Sequence, residues 1–219
     1  MSNIAEREEA GLPLLSFEEI AKGDFAGKIA PGRAEAFRVL QQWTRSFLMS
    51  AHPELGRTGD VCPFTAQGAR VGTLRFGVSE ASGRDISRIR EEMRGAFEAF
   101  EAIAHPRGMG NFRAVIVGFP NCRDEEGLAA LAAVQKSMRR LSFRRGRMIG
   151  VFHDQTSAPG LWNPEFRPLR SPIPLIAIRA LVENDAVFVA RHPLLAPTYL
   201  RRFRLSGGKR LFSHLLRRA

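Results

Sequence analysis

With 219 residues, 44% hydrophobic and 25% charged, the chain has the composition of one globular domain and not of a disordered polymer, and no run approaches the roughly 18 apolar residues of a membrane-spanning helix. Its two cysteines, Cys62 and Cys122, lie far apart and in no metal-type spacing, which argues against a disulfide framework or a cysteine zinc site and fits a reducing, cytoplasmic location. The net charge of +11 is unevenly spread: eight cations and no acid follow Asp185, so the body is only mildly basic.

Taken in chain order, residues 1–32 mix acids with Gly and Pro and read as a poorly ordered arm with one short turn at Phe17–Ala21; the Glu-rich start lacks the apolar stretch of a secretory leader. Residues 33–50 place Phe37, Leu40, Trp43 or Thr44, and Phe47 at helical spacing. Pro53, Gly56, Gly59 and Pro63 break up residues 51–68, and the alternation over 71–78 predicts a strand. Ile86, Ile89, Met93, Phe97 and Phe100 share one face of a helix over 85–104. An apolar β-branched run over 112–119 predicts a buried strand. Asp124 is a natural N-cap for a helix over 124–141. Strands over 147–153 and 175–182 flank a loop, 158–174, that holds five of the thirteen prolines. Short helical patterns over 197–204 and 209–218 complete the chain. This order predicts an α+β domain over 33–205, with a mixed sheet of about four strands, helices packed on one face and a ferredoxin-like topology as one option, followed by a basic tail helix over 206–219.

Two loops and one histidine attract attention as chemistry. In Gly56-Arg57-Thr58-Gly59-Asp60-Val61-Cys62-Pro63-Phe64, glycines permit tight turning, Pro63 holds Cys62 extended, and Arg57 is near enough in sequence to favour a thiolate. Cys62 is therefore a candidate nucleophile or ligand; its structural alternative is a small buried hydrophobe between core anchors Val61 and Phe64. His153 ends a predicted strand beside a loop, where a base or metal ligand would sit, or where a surface histidine simply closes the strand. The 160–174 loop is stiffened by proline. It offers Trp162 and Phe166 as apolar area and Arg167 and Arg170, with Arg179 beyond, as contacts for an anionic or carboxylate-bearing small molecule. Alternatively its arginines are solvated or paired with Glu125 and Glu126. The cluster Arg139–Arg147 offsets a helix C-terminus. The tail from Lys209 to Arg218 suits nucleic acid or an anionic membrane surface, or docks by its Leu/Phe face. No phosphate-loop, dinucleotide or hydrolase-elbow motif is present.

The segments His52-Pro53-Glu54-Leu55-Gly56-Arg57-Thr58-Gly59-Asp60-Val61-Cys62-Pro63-Phe64, Gly150-Val151-Phe152-His153 and Phe166-Arg167-Pro168-Leu169-Arg170-Ser171-Pro172-Ile173-Pro174-Leu175 together resemble an uncharacterised bacterial domain-of-unknown-function family, across roughly residues 50–200. That likeness implies no known reaction. More remotely, the layout is similar to haem-dependent N-hydroxylase-type proteins that act on guanidino compounds. This second likeness implies haem, with His153 as axial ligand and Arg167 and Arg170 facing its propionates. The resulting expectation is a protein that binds or modifies a small metabolite at a site formed where the 52–64 loop meets His153 and the 160–174 loop, with the second likeness implying an oxidative, haem-assisted reaction. The alternative is a non-catalytic module whose tail engages an acidic partner.

Overall fold

The computed structural model describes residues 11–191 and 195–216. Its frame is a five-stranded mixed sheet of order β1-β2-β3-β5-β4, formed by Leu14–Ser16 (β1), Leu74–Val78 (β2), Ala114–Gly118 (β3), Arg147–Phe152 (β4) and Leu175–Ala180 (β5). β2 and β3 run parallel; the β1–β2, β3–β5 and β4–β5 pairs are antiparallel.

The helices are Phe17–Lys22 (α1), Ala34–Trp43 (α2), Thr65–Arg70 (α3), Ile86–Ala102 (α4), Glu125–Arg144 (α5), Ala186–Arg191 (α6) and Ala196–Leu216 (α7). A parallel strand pair needs a long crossover, and α4 supplies it between β2 and β3. Because β2 and β3 are joined by α4 and bonded directly, the sheet is not the split arrangement of a ferredoxin-like fold.

Side chains alternate across the strands, so the sheet has two apolar faces. Val115, Val117, Ile176 and Ile178 meet Ile89, Met93 and Phe97 of α4 and Leu131 and Val134 of α5 on one face. Leu74, Phe76, Ile116 and Leu175 meet Ile20 of α1 and Phe37 and Leu40 of α2 on the other. The two long helices share a face as their crossovers require, but helices cover both faces. The expectation of one covered face did not foresee that α1 and the expected helix α2 bury their apolar residues against the second face. Each fully buried side chain of this kind contributes about 1.5–3 kcal/mol.

Part of the expected N-terminal arm is built into the fold. Leu14–Ser16 pairs with Arg75–Gly77, and Ser16 caps α1: its hydroxyl accepts from the Glu19 N–H while the Glu19 carboxylate accepts from the Ser16 N–H. Residues 1–10 lie outside the described region. Asp124 caps α5 as expected, accepting from the Gly127 N–H at 2.8 Å. Gly127 is required there, since a Cβ would lie 2.4 Å from the Cys122 Cα.

At the C-terminus, α7 breaks at Arg204 (φ 39°), just before Ser206-Gly207-Gly208. Tyr199 and Leu211 bury against Phe143, Leu181 and Val189. Arg217 and Arg218 of the expected tail lie outside the described residues.

Candidate functional site

Helix α2 leads into the site. After Trp43 it widens into one π-type turn over Thr44–Leu48, with the Met49 N–H bonded to the Thr44 carbonyl at 3.0 Å. Such turns insert a residue into a helix and recur at functional sites. Trp43 and Phe47 stack with centroids 6.1 Å apart, and Trp43 meets Phe152, the last residue of β4, edge-on at 6.0 Å. Phe47 contacts His52 and Phe166, each at 6.0 Å, and His52 lies 4.7 Å from Phe166. Rings from α2, β4 and two loops thus form one continuous aromatic wall.

The two loops touch. Asn163 Nδ2 donates to the Glu54 carbonyl at 2.8 Å. Gly56, at φ 77°, approaches Trp162 so closely that a Cβ would lie 3.1 Å from it. Between them opens a cleft of about 550 Å³. Trp43, Phe47, His52 and Phe166 line its apolar side, while Glu54, Asp154, Glu165, Arg167 and Arg170 supply charge.

Arg167 donates to the carbonyls of Pro164 and Phe166, so its guanidinium is held by its own loop. Arg170 is exposed in the cleft and has no hydrogen-bond or ion-pair partner on its guanidinium among the described residues. The Ser171 hydroxyl is committed to the Ile173 carbonyl at 2.7 Å. His52 Nδ1 accepts from the Glu54 N–H at 3.2 Å, which leaves the proton of the neutral ring on Nε2.

Arg167 and Arg170, expected as ligand contacts, are therefore brought together. The other candidates sit elsewhere. Arg57 folds over its own loop and donates to the carbonyls of Thr58, Asp60 and Val61. Trp162 is 64% exposed and outside the cleft lining. Cys62 is half-buried, its N–H bonded to the Leu48 carbonyl, and it is not among the residues that line the cleft. Arg179 is a correction to the ligand reading: its guanidinium is bidentate to the buried Asp185 carboxylate, at 2.8 and 2.5 Å, and lies over the Phe64 ring. Glu126 pairs with Arg84 and not with the loop arginines.

His153 anchors the long loop through its N–H to the Leu169 carbonyl, while its Nδ1 is buried without a hydrogen-bond partner. Its neighbour Asp154 lines the cleft; His153 does not. The haem reading needs an axial ligand pointing into this space. His153 does not supply it, and His52 could offer a lone pair at Nε2 only by losing the contact at Nδ1. Among the described residues no three His, Cys, Asp or Glu side chains group as a metal site. The residues of the cleft do not fit an iron-bound haem.

Sequence reasoning missed Trp43, Phe47, His52, Glu54 and Asp154. Trp43 and Phe47 read as core; Trp43 does pack against it while also lining the cleft, and helical spacing does not reveal the widened turn that holds Phe47. The 52–64 and 160–174 loops were expected to meet, but the ring contact between His52 and Phe166, more than a hundred residues apart, has no local signal.

Comparison with curated proteins and with solved structures gives no match. The profile of a domain of unknown function (DUF6875) matches residues 37–212, so the chain belongs to that family.

Proposed function

We propose that the cleft binds a small carboxylate-bearing molecule with a planar apolar body. The observation that carries this is Arg170, a guanidinium without a partner among the described residues, in a cleft that Arg167 and the Phe47, His52 and Phe166 rings also line. A guanidinium receives a carboxylate in a fork of two hydrogen bonds, and the rings offer a flat surface to the body of the ligand. Glu54, Asp154 and Glu165 at the same cleft disfavour a second anionic group. The function is thus recognition of a monocarboxylate metabolite, with His52 Nε2–H as an additional donor.

Calorimetry with benzoate, phenylacetate and neutral benzamide tests the reading. The carboxylates should bind in preference to benzamide, and Arg170→Ala should weaken them about tenfold or more, the scale of one lost charge-assisted hydrogen bond. Equal binding of acid and amide, or an unchanged affinity in Arg170→Ala, overturns it.

A further inference from the structure

A second surface lies on α7, which docks by one side only. Tyr199, Gly207 and Leu211 face the core, while Leu205, Phe212 and Leu215 are 85%, 62% and 44% exposed. Positions 205, 209 and 212 follow the break at Arg204 at the spacing of one helical face, so Lys209 stands between Leu205 and Phe212. Large apolar side chains projecting into water at this spacing are not explained by the fold, since Leu211 already supplies the contact that holds this half of the helix.

The surroundings are cationic. The end of α5 packs alongside, because Phe143 shares its apolar cluster with Tyr199 and Leu211. The Arg202 guanidinium lies so close over Gly146 that a Cβ there would collide with it. Arg144 and Arg145 adjoin this contact at the end of α5, and Arg201 and Arg204 flank Arg202 on α7, with exposed Lys209 further along the same helix. None of Arg144, Arg145, Arg201, Arg204 and Lys209 forms an ion pair among the described residues; Arg147 and Arg210 are the cations here that do, with Glu101 and Glu183.

We propose that this face docks on an anionic lipid bilayer. Cations alone would suit any polyanion, but the exposed Leu205–Phe212–Leu215 stripe separates the alternatives. A phosphate backbone leaves those side chains in water, whereas a bilayer takes them into the headgroup and acyl boundary while the arginines meet anionic headgroups. The helix lies along the surface and does not cross it; no helix of the described residues is long and apolar enough to span a membrane.

The test is co-sedimentation of the full chain with vesicles of phosphatidylcholine containing 30% phosphatidylserine, against pure phosphatidylcholine vesicles and a 30-base-pair DNA duplex, over a salt series. The expected result is binding to the anionic vesicles that salt weakens and that the double variant Leu205→Ser, Phe212→Ser reduces about tenfold or more. Both positions are exposed, and an unchanged melting temperature confirms that the variant is folded. A second variant, Arg201→Gln with Lys209→Gln, should lower affinity for anionic vesicles as well. Failure to bind anionic vesicles overturns the proposal. So does equal binding to neutral vesicles, or binding to vesicles and DNA that the apolar variant leaves intact, which would mark the face as a general polyanion site.

Discussion

Arg179 leaves β5 next to Asp185 and donates to both of its carboxylate oxygens, and that pairing consumes the charge that made it a ligand candidate. Burial alone would disfavour its charge, but the Asp185 carboxylate more than offsets this and pushes its pKa up, with a smaller contribution from Cys62. Sequence shows that an arginine is present; only the fold shows which acid reaches it first. The two cysteines divide in a similar way. Cys122 is fully buried, its thiol aimed at the Ala81 carbonyl, and burial together with Asp124, Asp85 and Glu92 pushes its pKa up to about 11. At pH 8 it is a thiol without solvent access. A thiol reagent such as dithionitrobenzoate should therefore label half-buried Cys62 in the native protein and Cys122 only after denaturation. Release of two equivalents at one fast rate from the folded chain would contradict this placement.

At the scale of elements, long apolar periodicity was the reliable signal. Ile89, Met93, Phe97 and Phe100 mark α4, and Leu131 and Val134 mark α5, because a buried helix face must repeat every three to four residues. The same pattern placed Phe37 and Leu40 correctly, with Trp43 partly buried against them, and misled only at Phe47, which the wide turn over Thr44–Leu48 carries into the cleft. The short elements β1, α3 and α6 left too few repeats to be recognised, and α1 was legible only as a turn at Phe17–Ala21. α1 is held by a polar device instead. Burial alone would raise the Glu19 pKa, but bonds from Lys28 and Ser16 outweigh it and bring it from 4.5 down to about 2. A carboxylate with a depressed folded pKa stabilises the native state above its unfolded pKa and loses that contribution as pH falls through the folded value. The stability difference between the native chain and Glu19→Gln should therefore be full at pH 6 and shrink between pH 4.5 and about 2, as followed by thermal midpoints. A difference independent of pH would show that Glu19 acts through packing alone.

For the molecule as a whole, the α+β class and a mixed sheet were legible, since strands and helices alternate along the chain and each strand is bounded by Gly or Pro. The strand order was not, because nothing local states that β5 enters between β3 and β4. The meeting of the 52–64 and 160–174 loops was legible, but the rings of Trp43 and Phe47 that line the cleft between them were not. The segment Leu14–Ser16 carries one last consequence, for where the folding unit is cut. The family match starts at residue 37, yet β1 covers the edge of β2, and Leu15 and Ile20 lie in the same apolar cluster as Phe37 and Phe76. A chain begun at residue 37 would bare a row of unpaired backbone groups beside an uncovered apolar face, the combination that recruits a second copy edge to edge. Compared with a chain begun at residue 11, it should melt at lower temperature and elute as aggregate in size-exclusion chromatography. Equal melting temperatures and monomeric elution of both would show that β1 is dispensable. The boundary suited to recognising relatives is thus not the boundary suited to producing a stable protein.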